Sequence, residues 1–122
     1  MNIFNYNLKN KLTVVIPCTV SEINTLNILD SISKQYYTQG INVIVLVKSN
    51  DFDKKYNILN SMLKYSKMNI ILISTDKSVK AKREYLNYSK TPYVYIANDC
   101  KNKSKWHLFN LIQSKQKSEK LN

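Results

Sequence analysis

The sequence predicts an α/β fold, an open and mostly parallel sheet with helices on both faces. Two observations carry this. Short β-branched runs at 12–17, 41–47, 69–73 and 93–97 alternate with segments whose apolar residues recur at three and four positions. The second run, Ile-Asn-Val-Ile-Val-Leu-Val, is apolar enough to be covered on both sides, as a strand of a parallel sheet is. With 122 residues the chain is one domain, long enough for a core, and it shows no internal repeat.

The elements follow in order. Leu12 to Ile16 is a strand closed by Pro17. Ile23, Leu26, Leu29, Ile32 and Tyr36 then form one helical stripe, with Thr19 and Glu22 at capping-box spacing before it. Gly40, the single glycine, stands where a left-handed cap would end that helix. After the second strand, Phe52, Tyr56, Leu59 and Leu63 make the next stripe, opened by Asn50 or Asp51. The third strand precedes a weaker helix over about 76–90, read from Val79, Leu86 and Ser89 with Lys82 on the same side. It stops before Pro92, because a residue preceding proline is pushed out of the helical region. Trp106, Leu108, Phe109 and Ile112 mark a last helix that frays into the polar segment 113–122, expected to lack fixed structure.

Four strands alternating with four helices imply right-handed βαβ crossovers and a Rossmann-like, mostly parallel sheet, for which the expected order is 3-2-1-4. The domain spans 11–113, between an N-terminal extension at 1–10 and a lysine-rich tail at 114–122. The functional edge is then the set of loops after the strands, 17–21, 48–53, 74–78 and 98–103.

Net charge is +11, yet 18 of the 19 basic residues are Lys and only Arg83 is Arg. Arginine forks are the usual readers of phosphates and base edges, so the excess weighs against a sequence-specific nucleic-acid binder. It would still attract a nucleoside diphosphate or another anion. No run approaches the roughly 20 apolar residues of a membrane span, and the amino terminus lacks the unbroken apolar stretch of a secretory signal. Two cysteines, Cys18 and Cys100, are too few for a disulfide framework. A cytoplasmic location is the expectation.

Val15-Ile16-Pro17-Cys18-Thr19, followed by Glu22, Leu29, Ser31, Ile32 and Gln35, resembles the first strand and helix of family 2 glycosyltransferases. Ala81-Lys82-Arg83, Ser89-Lys90-Thr91, Tyr93-Val94 and Asn98-Asp99-Cys100 fall at the spacing of that family's later motifs, the last in place of Asp-x-Asp. The resemblance covers roughly 10–113. It implies the nucleotide-sugar-binding half of such an enzyme, with Pro17, Cys18, Thr19, Lys48, Lys82 and Arg83 lining a nucleoside diphosphate sugar and Asp99 facing a Mn or Mg ion. The chain also departs from the pattern. Val47 or Lys48 replaces the Asp that hydrogen-bonds uracil, and Asn98 and Cys100 replace both carboxylates of Asp-x-Asp. A neutral amide and a soft thiol are poor ligands for a hard cation. The family's general base belongs to a second half that this chain ends before, so the expectation is a truncated domain, weakly active or inactive alone, with a protein partner in place of that half.

Several residues have plainer readings. Asp51 and Asp53 suit a helix cap and first-turn charge. Lys48 suits a solvated loop, and Lys82 and Arg83 suit a helix surface. Asp99 suits a turn, and His107, the one histidine, the margin of the core. Tyr36, Tyr56, Tyr85 and Tyr93 read as core-edge packing, and Cys18 and Cys100 as inert buried thiols on neighbouring strand ends. Two other functions compete with the glycosyltransferase-like one. A small binding or regulatory module predicts an exposed apolar patch, and a basic nucleic-acid binder predicts steep salt dependence.

Overall fold

The computed structural model describes residues 7–75, 89–99 and 103–121. Strands β1 (Leu12–Ile16), β2 (Asn42–Lys48), β3 (Asn69–Thr75) and β4 (Tyr93–Ile96) form one parallel sheet in the order β3-β2-β1-β4, as the sequence predicts. Thr13 pairs with Asn42, Leu12 with Tyr93 and Asn42 with Asn69, so all four strands start near one level and end at a common carboxyl edge.

Alternation along the strands sends Val14, Ile16, Val43, Val45 and Val47 to one face of the sheet. Helix α1 (Glu22–Ser33) packs there through Ile28, Leu29 and Ile32, α2 (Phe52–Met62) through Ile58, and α3 (His107–Leu121) through Leu108 and Ile112. Each such aliphatic side chain contributes about 1.5–3 kcal/mol on burial. Val15, Ile44 and Leu46 point to the other face, where they cluster with Cys18 and the half-buried Ile73, Val94 and Ile96. The helix expected over 76–90 lies outside the described residues.

Residues 7–10, within the segment expected as an extension, join the core. A 3-10 turn at Leu8–Asn10 buries Leu8 beneath the first face, and Leu8 N–H donates to the Tyr37 carbonyl at 2.8 Å. At the other end, α3 runs to Leu121 rather than fraying at 113. Lys, Gln and Glu are good helix formers, so a polar composition does not end the helix.

The phases of α1 and α2 differ from the apolar stripes in the sequence. Ser21, not Thr19, caps α1, its hydroxyl accepting from Asn24 N–H at 3.2 Å. The buried face is Thr25, Ile28, Leu29 and Ile32, while Ile23 is 71% exposed. Thr25 enters the core because its hydroxyl donates to the Ser21 carbonyl at 2.8 Å, which leaves its methyl free to pack. Tyr36 lies beyond the helix, which ends at Ser33, and is exposed. Gly40 has φ of +77° but is not the helix cap; it turns the chain into β2, with its N–H on the Lys67 carbonyl.

In α2, Asp51 is the N-cap, accepting from Lys54 N–H at 3.2 Å. The expected core stripe points outward instead: Phe52 is 72% exposed, Tyr56 66%, Leu59 52% and Leu63 86%. Tyr56 is therefore not core-edge packing. Ile58 and Lys54 face the sheet, on the opposite side of the helix.

Candidate functional site

The site is built where the strand order reverses. The chain leaves β1 toward β2, and β4 pairs on β1's other side; α1 and α3, which follow these two strands, pack on the same face of the sheet. Val15 pairs with Ile96, and Ala97 N–H donates to the Val15 carbonyl at 2.9 Å. Pro17–Thr19 and Ala97–Asp99 thus start side by side at the carboxyl edge.

Pro17 and Cys18 are buried and Thr19 is exposed, just before the N-terminus of α1. The loop is folded by Val20 N–H on the Pro17 carbonyl at 3.2 Å. It is also pinned from below. Lys54, 6% exposed, sends Nζ to the Val20 carbonyl at 2.6 Å and lies 3.5 Å from that of Cys18. Burial is the main cause that pushes the Lys54 pKa below its ordinary value; Asp51, Cys18 and Glu22 pull it back up, and Lys48 adds to the lowering. A lysine in the first turn of a helix gives no sequence signal of such a role, because its partners are backbone carbonyls.

Lys48 ends β2 and is exposed. With Ser49, Asn50, Phe52 and Thr75 it lines an open hollow of about 480 Å³ between the ends of β2 and β3. Lys55 braces this loop, donating to the Ser49 carbonyl at 2.7 Å with Nζ 5.3 Å from the Phe52 ring centre.

Asp99 lines a different hollow, between α1, β4 and α3, with Ser31, Gln35, Tyr95, Lys103 and His107 among its walls. Its enclosed part is about 20 Å³, room for about one water. Lys103 Nζ lies 3.4 Å from Asp99. His107 Nε2 is 3.5 Å from the Tyr95 hydroxyl, and its ring meets that tyrosine edge to face. Burial and then Lys103 lower the His107 pKa, while Asp99 raises it. His107 is thus half-buried at the core margin, as the sequence predicts. Gln35, which the resemblance matches to a family position, is buried, and its Oε1 accepts from Leu108 N–H at 2.9 Å at the start of α3.

Lys82, Arg83, Tyr85 and Cys100 lie outside the described residues. Among the described residues no three His, Cys, Asp or Glu side chains gather as for a metal ion, and no helix is long and apolar enough to cross a membrane. At 98–99 the donor set is one neutral amide and one carboxylate shared with Lys103, which does not fit a hard divalent cation. The chain matches no protein-family model, and comparison with curated proteins and with solved structures gives no match.

Proposed function

We propose that the chain is a glycosyltransferase-like domain that binds a nucleoside diphosphate sugar at the carboxyl edge of its sheet and does not transfer the sugar by itself. The observation that supports this best is the reversal of strand order at β1 and β4, which brings Pro17–Thr19 beside Ala97–Asp99 at the position where open α/β sheets take ligands. A net charge of +11 favours an anionic ligand there. In this reading Pro17, Cys18 and Thr19 lie along the nucleotide, and Lys48 approaches from the end of β2. Lys82 and Arg83 supply positive charge near the diphosphate, where the family resemblance carries them. No step of the proposed chemistry runs through a cation, because Asp99 is engaged by Lys103.

The test is thermal shift of the purified chain against a panel of nucleoside diphosphate sugars, with and without Mn²⁺. A ligand at 100 times its dissociation constant stabilises the folded state by about 2.7 kcal/mol, which is several degrees for a domain of this size. Lys82→Glu with Arg83→Glu should abolish the shift. Absence of any shift, or an unchanged shift in the charge-reversed variant, overturns the assignment.

A further inference from the structure

The outward stripe of α2 has the spacing of a coiled-coil seam. Phe52, Tyr56, Leu59 and Leu63 recur at four, three and four residues, the alternation of d and a positions over two heptads. The side of the helix away from this seam, Lys54 and Ile58, is already used by the protein's own core. Four large apolar side chains in one exposed line are more than scattered surface hydrophobics.

We propose that α2 is a homodimer interface, in which two copies pair their α2 helices antiparallel about a two-fold axis. The seam is self-complementary in this arrangement. With the axis midway between Asn57 and Ile58, Phe52 faces Leu63 of the second copy and Tyr56 faces Leu59, so every layer joins an a position to a d position. The flanking positions then set Asp53 opposite Asn60 and Lys55 opposite Met62, with no like charges opposed.

Charge selects a second copy as the occupant. The chain carries +11, so most faces of two copies repel each other. Residues 51–63 are an exception, since Lys54 is buried on the helix's other side and the remaining charges, Asp51 and Asp53 with Lys55, carry no positive excess. An anionic membrane or an acidic protein would gain little from so neutral a patch, whereas a second copy meets no penalty there.

The size of the seam sets the strength. Helix α2 with its C-cap Leu63 is about 18 Å long, and the four seam side chains bury on the order of 400 Å² per protomer, below the roughly 800 Å² of a standard interface. The dimer is therefore a weak one, at the low end of the sizes of specific interfaces. This inference is independent of the nucleotide reading.

Sedimentation velocity of the full chain from about 5 to 500 µM tests it. The expected result is a rise from monomer to dimer that Leu63→Lys shifts at least tenfold to higher concentration. Leu63 is almost fully exposed, so this variant leaves the monomer's core intact. Tyr56→Lys and Leu59→Glu should each disperse the dimer, and the double variant should restore it, because lysine and glutamate face each other across the axis. A chain that stays monomeric to 500 µM overturns the proposal, as does self-association that Leu63→Lys leaves unchanged.

Discussion

Lys54 of α2 and Val20 of the loop after β1 are joined by a 2.6 Å hydrogen bond from Nζ to the backbone carbonyl, below the surface of the protein. The bond ties the second helix to the loop at the edge where the strand order reverses. A lysine is suited to this because its long stem lies along apolar surface while its amine reaches a polar group. The cost is desolvation of the charged form, which lowers the Lys54 pKa.

Replacing Lys54 by Met keeps the stem and removes the donor, leaving the Val20 carbonyl without this partner. The expected loss is about 1–3 kcal/mol at neutral pH, read from urea denaturation. The pH dependence has a definite sign. Because the folded-state pKa lies below the ordinary 10.5, the unfolded chain binds this proton more tightly, and stability rises with pH between the folded value and 10.5. Wild type should therefore gain on Lys54→Met as pH climbs toward 10.5. A difference that is flat across that range would show that Lys54 is not desolvated.

The phase of α2 can be tested by two truncations. Ile58→Ala removes a fully buried side chain and should cost about 2–5 kcal/mol, whereas Leu63→Ala in dilute protein should stay within about 0.5 kcal/mol. Equal costs would mean that the stripe faces inward.

The same helix shows what the sequence discloses and what it hides. The central strands are legible because Val43 to Val47 is apolar on both alternating sets, which suits few other structures. The parallel sense follows from the alternation of strands with helices, whereas the order sets the consecutive strands β3 and β4 at opposite edges, which short connections alone do not dictate. Helix phase is less legible. Hydrophobic periodicity names the most apolar stripe, and in α2 that stripe is the outer one, while the inner face carries a lysine whose carbonyl partners are 34 and 36 residues away. In α1 a threonine satisfied by its own helix stands at a core position and disguises the true face. At the candidate site, the adjacency of Pro17 and Asp99's loops was legible from topology. The pairing of Asp99 with Lys103 and of His107 with Tyr95 was not, since the family frame gives those partners no role.

Gly40 provides a local test of the turn into β2. At φ of +77° a side chain is strained, and a Cβ there would lie 3.1 Å from Lys9 Cδ. Gly40→Ala should cost about 1–2 kcal/mol. A Tm equal to that of wild type would show that the turn relaxes into a right-handed conformation.

His107 reports on the hollow between α1, β4 and α3. Burial and Lys103 lower its pKa and Asp99 opposes them, so Asp99→Asn should lower it further and Lys103→Met should return it toward 6.5. Because the folded value lies below 6.5, protonation disfavours the native state, and His107's contribution weakens stability as pH falls from 6.5 through the folded value. Proton NMR titration of the single imidazole measures all three proteins directly. Movement in the same direction for both variants would place the charges elsewhere.

The last prediction concerns catalysis. If the nucleotide reading holds, donor binding and sugar transfer should separate in this chain. Asn98 and Cys100 stand where the resembled family carries carboxylates, and Asp99 between them is 3.4 Å from Lys103. Leaving-group charge at the diphosphate then lacks the neutralisation that a bound cation provides, and in this reading only Lys82 and Arg83 meet it. Loss of one such electrostatic contribution costs about a hundred- to a thousand-fold in rate. The purified chain should therefore shift its melting temperature with a nucleoside diphosphate sugar yet release nucleoside diphosphate at the background rate, with or without Mn²⁺. Asn98→Asp with Cys100→Asp rebuilds the carboxylate pair and should make donor binding Mn²⁺-dependent. Robust metal-stimulated transfer by the wild-type chain would reverse the reading and return Asp99 to the cation.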